Sequence, residues 1–222
     1  TLVLFKPTAA ADLLPDNDPN HVRPIPPPGI DVSEADRREL EAGLKELGAL
    51  LDEVREDRNY ADAAIFHRAV RVAVEDQEFF DLTEVDAAKK LLVVGIERAE
   101  QLKRGETPWL EISGLVVRGD LSPIDHTPQP YGLVIPESYE FGSKKQRRRV
   151  DVWLHGRGET LTELNFLTQR MNSVGPISPA DAIVVHPYGR YCNAYKFAGE
   201  RDVFEALQAA ARSYWMDYRH NL

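Results

Sequence analysis

The stretch Val150-Asp-Val-Trp-Leu-His155-Gly156-Arg157-Gly158-Glu159 decides the fold. Its first half alternates aliphatic with polar residues, as a β-strand does. Its second half places two glycines directly before a segment with helical periodicity, so a strand, a turn and a helix follow one another. Glycine lets a ligand approach the backbone, and free amides there can hold a developing oxyanion during acyl transfer. On these residues alone, an ordinary glycine turn is an equally good interpretation.

The segments on either side predict an α/β fold. Strands are expected at 112–121, 131–135, 149–154 and 182–185, where β-branched and aliphatic residues lie between glycines and prolines. Helices are expected at 160–171, opened by a capping box of Thr160 and Glu163, and at 200–214. Strands that alternate with helices predict a parallel sheet, and the short connection between the first strands is compatible with an antiparallel lead-in.

The chain divides into three regions. Residues 1–30 are rich in proline and predict an extended lead-in. Residues 31–106 predict a three-helix region, whose first helix has Leu40, Leu44, Leu47 and Leu51 on one face and is capped by Asp31 or Ser33. The second helix is expected from Asp62 to about position 74, and Asp81 with Glu84 has the spacing of a capping box for the third. Residues 107–222 form the α/β region.

Composition excludes several classes of protein. Of the 222 residues 43% are hydrophobic, which indicates a folded globular protein, and the net charge of −9 opposes binding to nucleic acid. No apolar run reaches the length that spans a bilayer, so we expect no membrane partner. The single cysteine, Cys192, excludes an internal disulfide but leaves the compartment open, including a secreted or periplasmic location for a soluble protein.

Four phrases occur in an order that carries a family resemblance. They are Pro130-Tyr-Gly-Leu-Val-Ile-Pro-Glu-Ser-Tyr139, the stretch at 150–159, Ile183-Val-Val-His-Pro-Tyr-Gly-Arg190 and Asp202-Val-Phe-Glu-Ala-Leu207. Together they resemble bacterial α/β-hydrolases of the prolyl-oligopeptidase-like and esterase type, over about half the chain. The resemblance implies a partial α/β-hydrolase sheet: a lead-in strand, a strand with the oxyanion-hole loop, the next parallel strand, and the helix before the nucleophile strand.

The resemblance also implies an activity and a candidate site. His155, Gly156, Arg157 and Gly158 would form the oxyanion-hole loop of a serine hydrolase acting on a small ester or peptide substrate, with no cofactor. The nucleophile elbow of this family, Gly-x-Ser-x-Gly, does not occur in the sequence. We therefore expect the nucleophile, the acid and the catalytic histidine to lie beyond Leu222, and the chain to be inactive by itself.

Four further residues are candidates for the lining of the pocket. They are His186, Tyr188, Asn193 and Tyr195, all near the end of the strand at 182–185. For each of them, local packing is an alternative role. His155, His186 and Cys192 have a spacing that matches no metal-binding pattern, so no metal site is expected.

A noncatalytic binding or assembly domain is the alternative function. If the sheet stopped at the strand 182–185, that apolar strand would be an exposed edge, and exposed edges pair with other chains. This alternative predicts a homo-oligomer formed through the sheet edge.

Overall fold

The computed structural model describes residues 24–144, 147–156, 158–191 and 193–217. Five helices and a five-stranded mixed sheet among them confirm the predicted α/β class. The helices are α1 (Glu34–Glu53), α2 (Tyr60–Glu75), α3 (Leu82–Lys103), α4 (Glu163–Asn172) and α5 (Ala198–Ser213). The strands are β1 (Gly114–Leu121), β2 (Pro128–Ile135), β3 (Arg148–Val152), β4 (Ala182–Pro187) and β5 (Met216–Asp217), and a 3-10 turn spans Pro108–Leu110.

The sheet has the strand order β1-β2-β4-β3-β5. The lead-in is antiparallel as expected, because β2 pairs antiparallel with β1 on one side and with β4 on the other. On the far side of β4, strands β3 and β5 continue the sheet in parallel. Because the carboxyl ends of parallel strands meet at one edge of a sheet, the loops that follow β3 and β4 lie side by side.

The prediction that the strand 182–185 lies at an exposed edge is wrong. This segment belongs to β4, which pairs with β2 through Val184 and Val185 and with β3 through Ile183 and Val185. It is buried along its whole length. The order of strands along the chain does not fix their order in the sheet, and the crossover through α4 places β4 between β2 and β3. Self-association therefore gains no support from this strand.

The starts of the helices show which predicted caps form. Ser33 caps α1, and its side chain accepts from the N–H of Asp36. Asp81 caps α3 in the same way, by accepting from Thr83. The capping box predicted at Thr160 is wrong: Thr162 is the N-cap of α4 and accepts from Asn165. Glu163 is the first helical residue and forms an ion pair with Arg68 of α2.

One hydrophobic core extends through both the helical region and the sheet. Leu40, Leu47 and Phe66 of the helices belong to the same buried cluster as Ile183 and Val185 of β4. The division into regions 31–106 and 107–222 stays a prediction, but the two share their interior. In the part of the chain that the structure describes, no helix is both long and apolar enough to cross a membrane.

The helical region is joined to the sheet by the fully buried carboxylate of Asp62. Its Oδ1 accepts from Nε of Arg118 at 2.8 Å and from the N–H of Gly119 at 2.7 Å, both in β1. Its Oδ2 accepts from the indole N–H of Trp109 at 2.9 Å. One side chain near the start of α2 thus fixes the edge strand and the 3-10 turn that precedes it.

A second buried arginine completes this cluster. Nη1 of Arg98 in α3 donates to the carbonyl oxygens of Asp62 and Val117, each at 2.9 Å. The guanidinium lies 5.0 Å from the ring of Phe66 and 4.9 Å from the ring of Trp109. Burial lowers the pKa of Arg98 to about 10, so it stays charged at neutral pH. The cluster therefore holds two cations and one carboxylate.

Removal of the Asp62 carboxylate should destabilise the protein strongly. Asp62→Ala leaves two buried guanidinium groups without a counter-charge. Removal of one partner from a buried ion pair costs about 3–5 kcal/mol of unfolding free energy. Urea denaturation followed by circular dichroism measures the loss. Asp52→Ala is the matched control, because Asp52 is 80% exposed and only 4.0 Å from Arg55, and should cost less than about 0.5 kcal/mol. Equal losses in the two variants would contradict the role of Asp62.

Candidate functional site

The loop between β3 and α4 carries the predicted oxyanion residues. The ladder with β4 continues one residue past β3, where the N–H of Trp153 donates to the carbonyl of Val185 at 2.9 Å. The chain then leaves the sheet at its carboxyl edge and enters α4 at Glu163. Arg157 lies outside the described residues, whereas His155, Gly156 and Gly158 are described.

Contacts with the neighbouring β4–α5 loop hold His155 in place. Its backbone N–H donates to the hydroxyl of Tyr195 at 3.0 Å. Its Nε2 lies 2.7 Å from the carbonyl oxygen of Tyr188, and its Nδ1 lies 2.9 Å from the carbonyl oxygen of Gly156. A ring nitrogen that carries a hydrogen donates it to the carbonyl oxygen it faces. The amide and ring of His155 are therefore engaged in positioning the loop.

The glycines of this loop do not act as the sequence analysis supposed. Neither Gly156 nor Gly158 has a positive φ, so the turn itself does not require glycine. A Cβ atom at Gly156 would meet none of the described heavy atoms within 4 Å, and the residue is exposed. Within the described residues, its N–H donates no hydrogen bond. Gly156 thus presents an accessible amide on an open side of the loop.

The β4–α5 loop has an unusual backbone. Five of its residues other than glycine have φ between 53° and 69°: Arg190, Tyr191, Ala194, Tyr195 and Phe197. Such conformations are uncommon and carry a free-energy cost, and they cluster at functional sites where the surrounding structure holds them. Phe197 combines this backbone with a side chain that is 90% exposed. The loop is therefore a candidate for contact with a ligand.

Arg190 holds the strained loop against two other elements. Its Nε donates to both carboxylate oxygens of Asp202 in α5, at 3.1 and 2.9 Å. Its Nη1 donates to Asp125, in the turn between β1 and β2, at 2.6 Å. The hydrogen bonds from Arg190 hold the pKa of Asp125 well below its usual value. Burial raises the pKa of Asp202 to about 6, although Arg190 opposes that shift.

A cavity of about 270 Å³ lies beside the loop between β3 and α4. Its lining includes Trp153, His155 and Gly156 from the β3–α4 segment, Arg170 from α4 and His186 from β4. None of its lining residues is acidic, so no carboxylate in the described lining would repel an oxyanion. The structure therefore brings the predicted residues His155, Gly156 and His186 to one cavity.

His186 is buried and pairs with Arg170. Nη1 of Arg170 donates to Nδ1 of His186 at 3.1 Å, and His186 is 3% exposed. Burial, the neighbouring Arg170 and His155 together lower the pKa of His186 to about 4. At neutral pH the ring is therefore uncharged, with Nδ1 as an acceptor and its proton on Nε2.

Ser173 also lines this cavity but is not paired with a base. Its hydroxyl oxygen accepts from the N–H of Gly175 at 3.2 Å, and the nearby imidazole of His186 is bonded to Arg170. The described residues therefore contain no Ser–His pair at this cavity. They also contain no cluster of three or more potential metal ligands, and Cys192 lies outside them.

The remaining predicted residues hold the loops rather than line this cavity. Tyr188 is buried, and its ring packs 5.1 Å from that of Phe166. The hydroxyl of Tyr195 donates to the carbonyl of Pro187 at 3.3 Å while it accepts from His155, and burial raises its pKa to about 12. Asn193 lies against Gly199 at the start of α5, where a Cβ atom would come within 2.6 Å of its Oδ1.

The sequence analysis missed Arg170 and Arg190. Arg170 lies three residues after the apolar Leu167, and this spacing puts both on the buried face of α4. The spacing could have predicted its position. The role of Arg190 depends on Asp125, 65 residues earlier in the chain, and no local pattern predicts that contact.

Comparisons of the chain with protein-family models, with curated proteins and with solved structures find no match.

The low pKa of His186 makes the stability of the protein pH-dependent. Between pH 6.5 and about 4 the unfolded chain binds a proton that folded His186 does not, so its contribution to stability falls as the pH falls. We expect the protein to lose on the order of 2 kcal/mol of unfolding free energy relative to His186→Gln as the pH falls from 7 to 4.5.

The comparison with the variant is needed because Asp202 acts in the opposite direction. Its raised pKa increases stability as the pH falls through 6, and this contribution is present in both proteins. Urea denaturation of the protein and of His186→Gln at several pH values measures the difference. A difference that stays constant from pH 7 to 4.5 would show that His186 does not titrate as described.

Proposed function

We propose that this chain provides the oxyanion-hole part of a serine hydrolase of the α/β-hydrolase type, acting on an ester or peptide bond. The observation that carries the proposal is the accessible amide of Gly156 beside the cavity of His186. Backbone amides that are already oriented stabilise charge that develops in a transition state, and they need no reorganisation at that moment. His155 acts as a positioning residue, because its amide and ring hold the loop in place.

The arrangement of the strands supports the same proposal. β5 follows α5 and pairs in parallel with β3, through Arg148 with Met216 and Arg149 with Asp217. Because the two strands are parallel, the carboxyl end of β5 lies at the same edge of the sheet as the carboxyl end of β3, where the loop with Gly156 begins. In the family that the sequence resembles, the nucleophile follows the strand after this helix. The sequence has no Gly-x-Ser-x-Gly, so the proposal assigns the nucleophile to residues outside these 222.

The chemistry asked of this chain is limited to binding and charge stabilisation. A substrate carbonyl would enter the cavity with its oxygen towards the N–H of Gly156. When a serine oxygen attacks the carbonyl carbon, its proton passes to the histidine base of the hydrolase, the C=O π electrons move onto the carbonyl oxygen, and the N–H donates to the resulting oxyanion. The neutral His186 and the cation of Arg170 leave the cavity without a negative charge that would oppose this step.

The noncatalytic alternative has lost the observation that suggested it. An assembly domain was expected because the strand 182–185 would be an open edge, and this strand is paired on both sides.

A branched side chain at Gly156 should impair catalysis without affecting folding. In the protein as its gene encodes it, Gly156→Val places two methyl groups where the substrate approaches, and the open space around Gly156 accommodates them without a clash. The backbone amide at position 156 remains, but the branched side chain keeps the substrate oxygen from reaching it, and loss of one oxyanion donor typically costs on the order of 10²- to 10³-fold in turnover. Steady-state kinetics on a small activated ester measure the effect, and circular dichroism checks folding.

Arg157→Ala is the matched control for this variant. It shortens the neighbouring side chain but keeps the backbone amide, so we expect a much milder effect than that of Gly156→Val. Turnover of a folded Gly156→Val enzyme within about threefold of the parent value would remove the loop from the mechanism. A larger loss from Arg157→Ala would show that the guanidinium, and not an amide, is the working group.

A further inference from the structure

A second cleft lies between the start of α2, the edge strand β1 and the end of α5. Its volume is about 430 Å³, within the range of pockets that bind small molecules. Asp62, Arg118 and Tyr131 form a buried floor, and Tyr139 and Phe141 form an aromatic wall with ring centroids 5.0 Å apart. Arg58 and Arg212 are exposed at its mouth.

The cleft opens around the edge strand β1, and Arg118 and Tyr131 of its floor point away from the face of the sheet that holds the His186 cavity. A Cβ atom at Gly119 would lie 2.2 Å from a carbonyl oxygen of α2, and one at Gly132 would lie 2.8 Å from the Arg170 side chain of α4. Successive side chains of a strand point to opposite faces. Arg118 and Tyr131, which precede these glycines, therefore point to the α5 face, where the guanidinium carbon of Arg118 lies 6.0 Å from the ring of Tyr214.

The floor of the cleft holds buried polar atoms without partners. Nη1 of Arg118 and the hydroxyl of Tyr131 form no hydrogen bond among the described residues. Arg118 is 4% exposed and Tyr131 1%, and both line the cleft. Burial raises the pKa of Tyr131, so its hydroxyl keeps its proton and can donate. Leaving such groups unpaired costs free energy, and a bound acceptor would recover it.

The charges beneath the floor are also unbalanced. Arg98 and Arg118 are buried next to a single carboxylate, Asp62, and both oxygens of that carboxylate already accept hydrogen bonds. Asp120 lines the cleft but pairs with Arg212 at 2.5 Å. Glu111, the other acidic residue of the lining, is exposed to solvent. One positive charge therefore remains at the floor without a buried partner, and a ligand with one negative charge would balance it.

We propose that this cleft binds a small organic monocarboxylate, with its carboxylate on Arg118 and Tyr131 and its apolar body against Tyr139 and Phe141. Arginine binds planar carboxylates well, because several of its N–H groups lie in one plane. A single carboxylate matches the one surplus charge, whereas a dianionic phosphate would exceed it. Two unpaired groups, Nη1 of Arg118 and the hydroxyl of Tyr131, line the cleft and can donate to an anion that accepts several hydrogen bonds. The site is independent of the proposed acyl transfer.

Benzoate is the probe for this site, because it joins one carboxylate to a flat apolar ring. Isothermal titration calorimetry with the 222-residue chain, at constant ionic strength, measures its affinity. Benzamide has the same shape and no charge, so we expect it to bind at least about tenfold more weakly. Equal affinity for benzamide, or no saturable binding of benzoate, would overturn the proposal.

Tyr131→Phe tests the floor without endangering the fold. The hydroxyl has no partner to lose, so the variant should be as stable as the parent, while its affinity for benzoate falls about fivefold to tenfold. Arg212→Gln tests the mouth and should also weaken binding. Arg104→Gln, which removes an equally exposed arginine paired with Glu106 at the end of α3, should not.

Two further results would contradict the site. Unchanged benzoate affinity in a folded Tyr131→Phe variant would remove the floor from the binding site. A crystal structure in which benzoate binds outside this cleft and only water contacts Arg118 would show that solvent, and not a carboxylate, solvates the surplus charge.

Discussion

The buried carboxylate of Asp62 is the contact on which the arrangement of the helices and the sheet depends. It binds Trp109, Arg118 and the backbone of Gly119, so α2, the 3-10 turn and β1 are fixed relative to one another. Arg118 binds this carboxylate, and Arg98 binds the backbone carbonyl of the same residue. Two buried cations therefore lie beside one carboxylate, which leaves one positive charge in excess beneath the cleft. A structural requirement of the fold thus creates the chemistry of a possible binding site.

The sheet order places two loops together at the carboxyl edge, on a scaffold that this contact anchors. Tyr188 and Tyr195 of the β4–α5 loop engage the ring and the amide of His155, and this leaves the amide of Gly156 accessible. Arg190 holds the strained backbone of that loop through Asp125 and Asp202. Five of the seven described non-glycine residues with a positive φ lie in this loop, where the surrounding ion pairs can maintain the strain.

Local patterns in the sequence predicted the elements well, and non-local contacts account for the errors. Ser33 and Asp81 cap their helices as expected, because capping needs only neighbouring residues. Strand β2 begins at Pro128, earlier than predicted, because its first residues pair only with β1 and therefore tolerate proline. The interior position of β4 depends on a crossover, which no strand encodes by itself.

The candidate site could be predicted in part for the same reason. The sequence pattern pointed to the β3–α4 loop, and the structure adds that the His155 amide donates to Tyr195, whereas that of the exposed Gly156 forms no hydrogen bond among the described residues. The most direct test of the account is a crystal structure of the gene-encoded protein after reaction with a fluorophosphonate. We predict an adduct on one serine, with the phosphonyl oxygen about 2.7–3.1 Å from the nitrogen of Gly156. An adduct whose oxygen is held by amides elsewhere, or the absence of any adduct, would contradict the assignment of this loop.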